Sequence, residues 1–236
     1  MAIRAEPNAC ARAVSQLVQG ETFLLLDAVG GWAWGRSAHD GYVGYVPADA
    51  LGSAPVPSYR IAVPLALVFA EPDIKAPVRA RWPIGACFAG TDEGNFVAIG
   101  EGFVHRRHVA ALDDRIDAVA LAERLIGLPY LWGGRGGGGI DCSGLVQVAL
   151  GFAGIAAPRD SDMQRDSLGE AVAEGGGYRR GDLVFFPGHV GLMVDSERLI
   201  HANAHWMAVT IEPLADVVAR LAPTHERPIT GHRRLP

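Results

Sequence analysis

The chain has few cysteines. Cys10, Cys87 and Cys142 make an odd count spread far apart in 236 residues. That excludes a disulfide framework and fits reduced thiols in a cytoplasmic setting. Positive charge is not in excess: 21 Lys and Arg stand against 26 Asp and Glu, a net charge of −5. Neither nucleic acid nor an anionic membrane surface is therefore an expected partner. Long apolar runs are missing too. The longest, residues 61–70, is broken by Pro64 and falls well short of the roughly 20 residues that span a bilayer. Residues 1–8 lack a basic stretch followed by an apolar run, so no secretory signal is expected. Cys142 has no second cysteine or carboxylate cluster nearby in sequence, so no zinc site is expected, nor any other metal or cofactor. The glycine-rich residues 133–139 lack the Gly-Lys-Ser/Thr ending of a phosphate loop and are read as a flexible approach to Cys142.

What is present is a folded composition, 49% hydrophobic and 20% charged. Residues 1–53 read as all-β after a short opening helix or turn. Trp32 to Arg36 alternate aromatic and small residues with a period of two, and Asp40-Gly41 marks a hairpin turn into Tyr42. Residues 60–112 repeat the plan more loosely, with Gly102-Phe103-Val104 echoing Gly44-Tyr45-Val46. The economical reading is two small half-open barrels in tandem, residues 1–55 and 56–112, the second divergent. From residue 113 the texture becomes helical, with Asp113-Asp114 as caps for a segment ending near Ile126. After residue 180 strands dominate. Helices followed by an antiparallel meander make residues 113–236 α+β, in the element order of a papain-type core.

Chemistry concentrates on Cys142. Asp141 is an N-cap type, so Cys142 falls in the first turn of a helix. Unpaired amides and the positive end of the helix dipole favour a thiolate there. His189 opens a strand after the Pro187-Gly188 turn, and His201 lies on the next strand. A hairpin centred on residues 195–197 sets the two rings side by side. In a thiol triad His189 takes the proton from Cys142 and His201 fixes its tautomer. The Cys142 backbone N–H would help hold the oxyanion. Singly, each residue has a plainer reading: buried packing for a helical cysteine, a satisfied core or surface group for a strand histidine. His105, His108, His205, His225 and His232 have no partner visible in sequence and are read as surface residues.

Tyr130-Leu131-Trp132-Gly133-Gly134, Asp141-Cys142-Ser143-Gly144, Pro158-Arg159-Asp160-Ser161, Arg180-Gly181-Asp182 with Leu183 to Phe186, and His189-Val190-Gly191 with His201 occur in that order. In this, residues 114–212 resemble the NlpC-type cell-wall peptidases, papain-like cysteine hydrolases of bacterial peptidoglycan peptides. The front half is similar to the bacterial SH3-type modules of a cytoplasmic branch of that family. Arg4-Ala5-Glu6-Pro7 and Asp40-Gly41-Tyr42 carry that likeness. The resemblance implies Cys142 as nucleophile, His189 as base and His201 as orienting residue, with no cofactor. It implies as substrate a small murein peptide with a free N-terminal L-Ala, cut between γ-D-glutamate and diaminopimelate or lysine in wall recycling. It also implies that Glu6, Tyr42, Asp141, Ser143, Asp160 and Ser161 hold the substrate's free ammonium. A buried ammonium needs a carboxylate and several acceptors, since an unpaired buried charge is costly. Two alternatives accompany this reading: an exported autolysin acting on intact peptidoglycan, and a non-catalytic module that binds wall or protein.

Overall fold

The computed structural model describes every residue except 174 and 236. It divides into two compact units, Met1–Asp114 with Trp132–Gly139, and Arg115–Leu131 with Ile140–Pro236.

The first unit is built from β-strands. Its opening sheet runs in the order Ala13–Gln16, Ala2–Arg4, Val43–Pro47, Trp32–Ser37, Phe23–Val29. The alternation read in Trp32–Ser37 is real: Ala33, Gly35 and Ser37 point into the interior while Arg36 is exposed. Ile3, Leu17, Ala33 and Val46 form the core. The expected opening helix or turn is instead the strand Ala2–Arg4, paired antiparallel with Ala13–Gln16. Ile3 is completely buried there, and that burial outweighs the turn-rich composition that follows it. A second set of strands, Thr91–Glu93, Phe96–Ile99, Gly102–His105, Leu65–Phe69 and Val78–Pro83, surrounds its own core of Ile61, Val68, Phe88, Val97 and Val104. Two sets of strands thus follow one another, each around its own core.

Residues 132–139 pack within this first unit, and they are pinned. The Arg135 guanidinium donates to both carboxylate oxygens of Glu21, at 2.9 and 3.0 Å, and to the carbonyl of Gln16 at 3.0 Å. The Arg135 backbone N–H donates to Gln16 Oε1. Gly133, Gly134 and Gly136 are buried. A side chain at Gly137 would press on Pro83, 2.8 Å from its Cβ. The glycines therefore permit close packing, and the flexible approach expected from composition is not what forms.

The second unit is a six-stranded antiparallel sheet with helices. The strand order is Glu170–Ala171, Gly231–Arg234, Leu183–Phe186, His189–Met193, Arg198–Asn203, Ala208–Pro213. The last four strands of that order follow one another in sequence, the meander that marks this part as α+β. Helix α1 (Ala118–Glu123) is shorter than predicted and starts later. Asp117 caps it by accepting from the Ala120 N–H, while Asp114 accepts from the Ala111 N–H in the preceding turn. Helix α2 (Cys142–Ala153) is buried on nearly every side, as a helix at the centre of a domain must be. It ends at Gly154, whose φ of 85° is the left-handed conformation glycine adopts without strain. Helices α3 (Ser161–Ser167) and α4 (Leu214–Leu221) complete the unit. The strand Gly231–Arg234 was not foreseen. It carries His232, which is no idle surface residue: its Nε2 lies 2.7 Å from Asp182 Oδ2, and its ring packs on Tyr178.

Candidate active site

The place of Cys142 is fixed by a cap. Asp141 has extended backbone (φ −96°, ψ 179°), and its side chain accepts from the Gly144 N–H at 2.7 Å. This starts α2 at Cys142, whose own N–H is one of the first-turn amides without an intrahelical acceptor. The same carboxylate takes a buried ion pair. Arg159 donates to Asp141 Oδ2 at 2.6 Å, to Oδ1 at 3.0 Å and to Ser143 Oγ at 2.9 Å. Gln164 donates to the Ser143 and Pro158 carbonyls, which ties α3 to the start of α2.

Two tight turns set the histidines. Pro187 supplies a fixed φ and Gly188 a φ of 66°, so a two-residue loop closes Phe186 onto His189. At the far end Asp195 accepts from the Glu197 and Arg198 N–H groups and closes the next hairpin. Leu192 pairs with Ile200 and Met193 with Leu199. That register puts His201 across from Gly191, with His189 two residues further along the same face. A side chain at Gly191 would collide with Leu199 and lie 3.5 Å from His201 Cβ. The missing side chain is what lets the two rings meet: His189 Nε2 is 2.9 Å from His201 Nδ1.

Burial governs the charges here. It pushes the Cys142 thiol up to about 11, with the Asp141 carboxylate pushing the same way. Hydrogen bonds to the sulfur from the Val190 and Ser143 backbones pull it back, as does Arg159. The helix-start placement therefore does not hold a resting thiolate, contrary to the expectation from the dipole alone. Burial and the neighbouring His201 push His189 down to about 3. The resting pair is a neutral thiol and a neutral imidazole. Contact of the sulfur with Val190 N–H brings the start of α2 against the start of the His189 strand.

Sequence reasoning missed three groups. Glu212 Oε1 lies 2.8 Å from His201 Nε2, and Arg220 on α4 donates to both Glu212 oxygens. Burial would raise the Glu212 carboxyl, but hydrogen bonds from Arg220, Trp206 and His201 bring it down to about 2. Its only sequence signal is an acid two positions beyond Thr210, the register partner of His201. Tyr130 is the third. Burial raises its hydroxyl to about 12, and the next influences are Cys142 and Asp141, so it stays protonated. It belongs to a motif quoted above without being given a task.

Of the remaining sequence-predicted residues, Asp160 precedes α3 and Ser161 begins it, next to Arg159 in the chain. Glu6 and Tyr42 belong to the first unit. Glu6 is exposed after the strand Ala2–Arg4, and Tyr42 is half-buried where the Asp40 side chain accepts its backbone N–H at 3.0 Å. Among the described residues no three His, Cys, Asp or Glu side chains converge as a metal set. No helix among them is long and apolar enough to cross a membrane.

Residues 127–220 match the NlpC/P60 family, and residues 3–51 match the bacterial dipeptidyl-peptidase SH3 domain. A probable endopeptidase of Mycobacterium tuberculosis is 34% identical over 110 residues, which is 43% of this chain and 26% of that protein. A γ-D-glutamyl-L-lysine dipeptidyl-peptidase of Bacillus cereus is 32% identical over 106 residues, 42% of this chain and 31% of that protein. The matched stretch thus spans about a quarter to a third of the length of these relatives. A crystal structure of an NlpC/P60 family protein from Bacillus cereus has a similar fold, with TM-score 0.79 and 23% identity over 95% of this chain and 83% of that one.

Proposed function

We propose that this chain, which carries the NlpC/P60 cysteine peptidase domain behind a bacterial dipeptidyl-peptidase SH3 domain, hydrolyses the γ-D-glutamyl–diaminopimelate or γ-D-glutamyl–lysine bond of murein peptides with a free N-terminal L-Ala. The setting would be cytoplasmic wall recycling. The observation that carries the reading is that the Cys142 sulfur, at its helix start, is hydrogen-bonded by the backbone of Val190, the residue after His189, whose Nε2 lies 2.9 Å from His201 Nδ1.

The reaction begins from the neutral pair. As the sulfur closes on the γ-carbonyl carbon, its proton passes to His189, so charge appears only when the carbonyl oxygen can share it. Cys142 N–H, at the helix start, would donate to that oxygen, with the protonated Tyr130 hydroxyl as the second candidate donor. His189 then gives its proton to the leaving amine of the diamino acid. Water, deprotonated by the same imidazole, releases L-Ala-γ-D-Glu from the thioester.

The substrate part of this reading rests on support of a different kind. A relative named as a γ-D-glutamyl-L-lysine dipeptidyl-peptidase is 32% identical over 106 residues, and the resemblance assigns Glu6 and Tyr42 of the first unit to ammonium recognition. The test is a pair of peptides, L-Ala-γ-D-Glu-diaminopimelate with its amine free and the same peptide N-acetylated, beside intact sacculi. Cleavage of the free peptide alone supports the reading. Equal cleavage of the acetylated peptide, or solubilisation of sacculi, would favour the exported autolysin instead.

A further inference from the structure

Four side chains in the second unit form one unbroken line of contacts. His189 Nε2 lies 2.9 Å from His201 Nδ1, His201 Nε2 lies 2.8 Å from Glu212 Oε1, and Arg220 closes the line on Glu212. Trp206 adds a hydrogen bond to the same carboxylate. His201 is 1% exposed and Glu212 7%, so the contact between them is closed to water.

We infer that Glu212, held by Arg220, is a positioning residue that decides which ring nitrogen of His189 carries the proton. The reasoning follows donors and acceptors. An ionised carboxylate only accepts, so His201 Nε2 must carry hydrogen. A neutral His201 then has its lone pair on Nδ1 and can only accept there. The partner at that nitrogen, His189 Nε2, must therefore be the N–H. That leaves the Nδ1 lone pair of His189 free to take the proton from Cys142. Reverse the proton on His201 and every later position reverses with it. A doubly protonated His201 would donate from Nδ1 and force His189 to carry hydrogen on Nδ1, where it cannot act as a base.

Arg220 prevents that reversal. The groups acting on His201 are Glu212 from the neighbouring strand, His189 from the strand on its other side, and Arg220 from α4. Burial lowers the His201 pKa, Glu212 raises it, and Arg220 lowers it again, so the ring stays neutral. Glu212 orders the ring while Arg220 offsets the charge that would otherwise protonate it. The relay continues the triad proposed above by two residues and rests on that reading of Cys142 and His189.

The experiment uses the full chain and the variants Glu212→Gln, Arg220→Met and Arg220→Lys. Imidazole nitrogen shifts in ¹⁵N NMR give the tautomer of His189 directly, and turnover of L-Ala-γ-D-Glu-diaminopimelate is followed against pH. The wild type should show His189 protonated on Nε2. Gln, which donates as readily as it accepts, should mix the tautomers and lower kcat by about 10²-fold with KM nearly unchanged, less than the ~10⁴-fold loss when a triad's own carboxylate is made an amide. Arg220→Met should move the acid limb of kcat to higher pH, and Arg220→Lys should restore it. A Glu212→Gln protein with a single Nε2–H tautomer and wild-type kcat would overturn the inference. If the wild type cleaves no peptide, the substrate reading fails while the NMR shifts still decide the relay. Gln nearly matches Glu in shape, so an unchanged cooperative melt shows that the variant has folded.

Discussion

Arg159 meets Asp141 through both terminal guanidinium nitrogens, at 2.6 and 3.0 Å, one residue before Cys142 and almost out of reach of water. One carboxylate thus caps α2, accepts a buried cation and pushes on the Cys142 thiol. Replacing Arg159 by Met leaves that carboxylate charged and uncompensated. The expected loss of stability is about 3–5 kcal/mol, with the thiol pushed further up, since Arg159 pulls it down in the wild type. Chemical unfolding and the pH dependence of thiol alkylation measure the two effects. Asp141→Asn combined with Arg159→Met should recover part of the lost stability, because no isolated charge remains.

Gly191 is needed for steric reasons, since its backbone is ordinary but its Cβ position is occupied by Leu199. Gly191→Val should cost about 1–3 kcal/mol through overpacking and separate the rings of His189 and His201. Peptidase activity should fall further than the melting temperature suggests. A Val variant with wild-type turnover would show that the ring contact is not set by this gap.

Stability should fall on mild acidification. An unfolded chain binds a proton at His189 near pH 6.5, but the folded chain refuses it until about 3. Above pH 6.5 neither state carries the proton, so the contribution is flat. Between 6.5 and about 3 the unfolded state binds more protons and gains on the folded one. Glu212 acts in the same direction lower down, between its unfolded value of 4.5 and about 2. Thermal melts from pH 7 to 4 should show a falling midpoint, and His189→Asn should flatten the slope between 6.5 and 4.5. An unchanged midpoint over that range would count against a neutral, buried His189.

In the first unit, Glu21 and Arg135 form an ion pair with side chains 12% and 4% exposed. Glu21→Ala should cost about 3–5 kcal/mol by stranding the guanidinium. It should also open residues 132–139 to proteolysis. Limited digestion with mapped cleavage sites checks this, and protection equal to wild type would mean that glycine packing on Pro83 suffices.

Much of this is legible in the sequence. Asp141 read as a cap, Pro187-Gly188 as a turn and Trp32 to Arg36 as a strand because each depends on neighbours in sequence. What escaped depends on partners far away. Arg135 looked like one residue in a loose glycine run, since Glu21 lies 114 positions earlier. Glu212 and Arg220 carried no motif, and their task appears only when a strand register sets one beside His201 and α4 brings in the other. The thiol was misjudged in the same way: a helix dipole is visible in sequence, but the burial that outweighs it is not.

Turnover by Cys142→Ala tests the central claim most directly. L-Ala-γ-D-Glu-diaminopimelate is incubated with equal amounts of wild-type and Cys142→Ala protein, and free L-Ala-γ-D-Glu is quantified by mass spectrometry. Release by the wild type and none above background by the variant is the predicted result. Release by the variant at the wild-type rate, or none by either protein, would contradict the account.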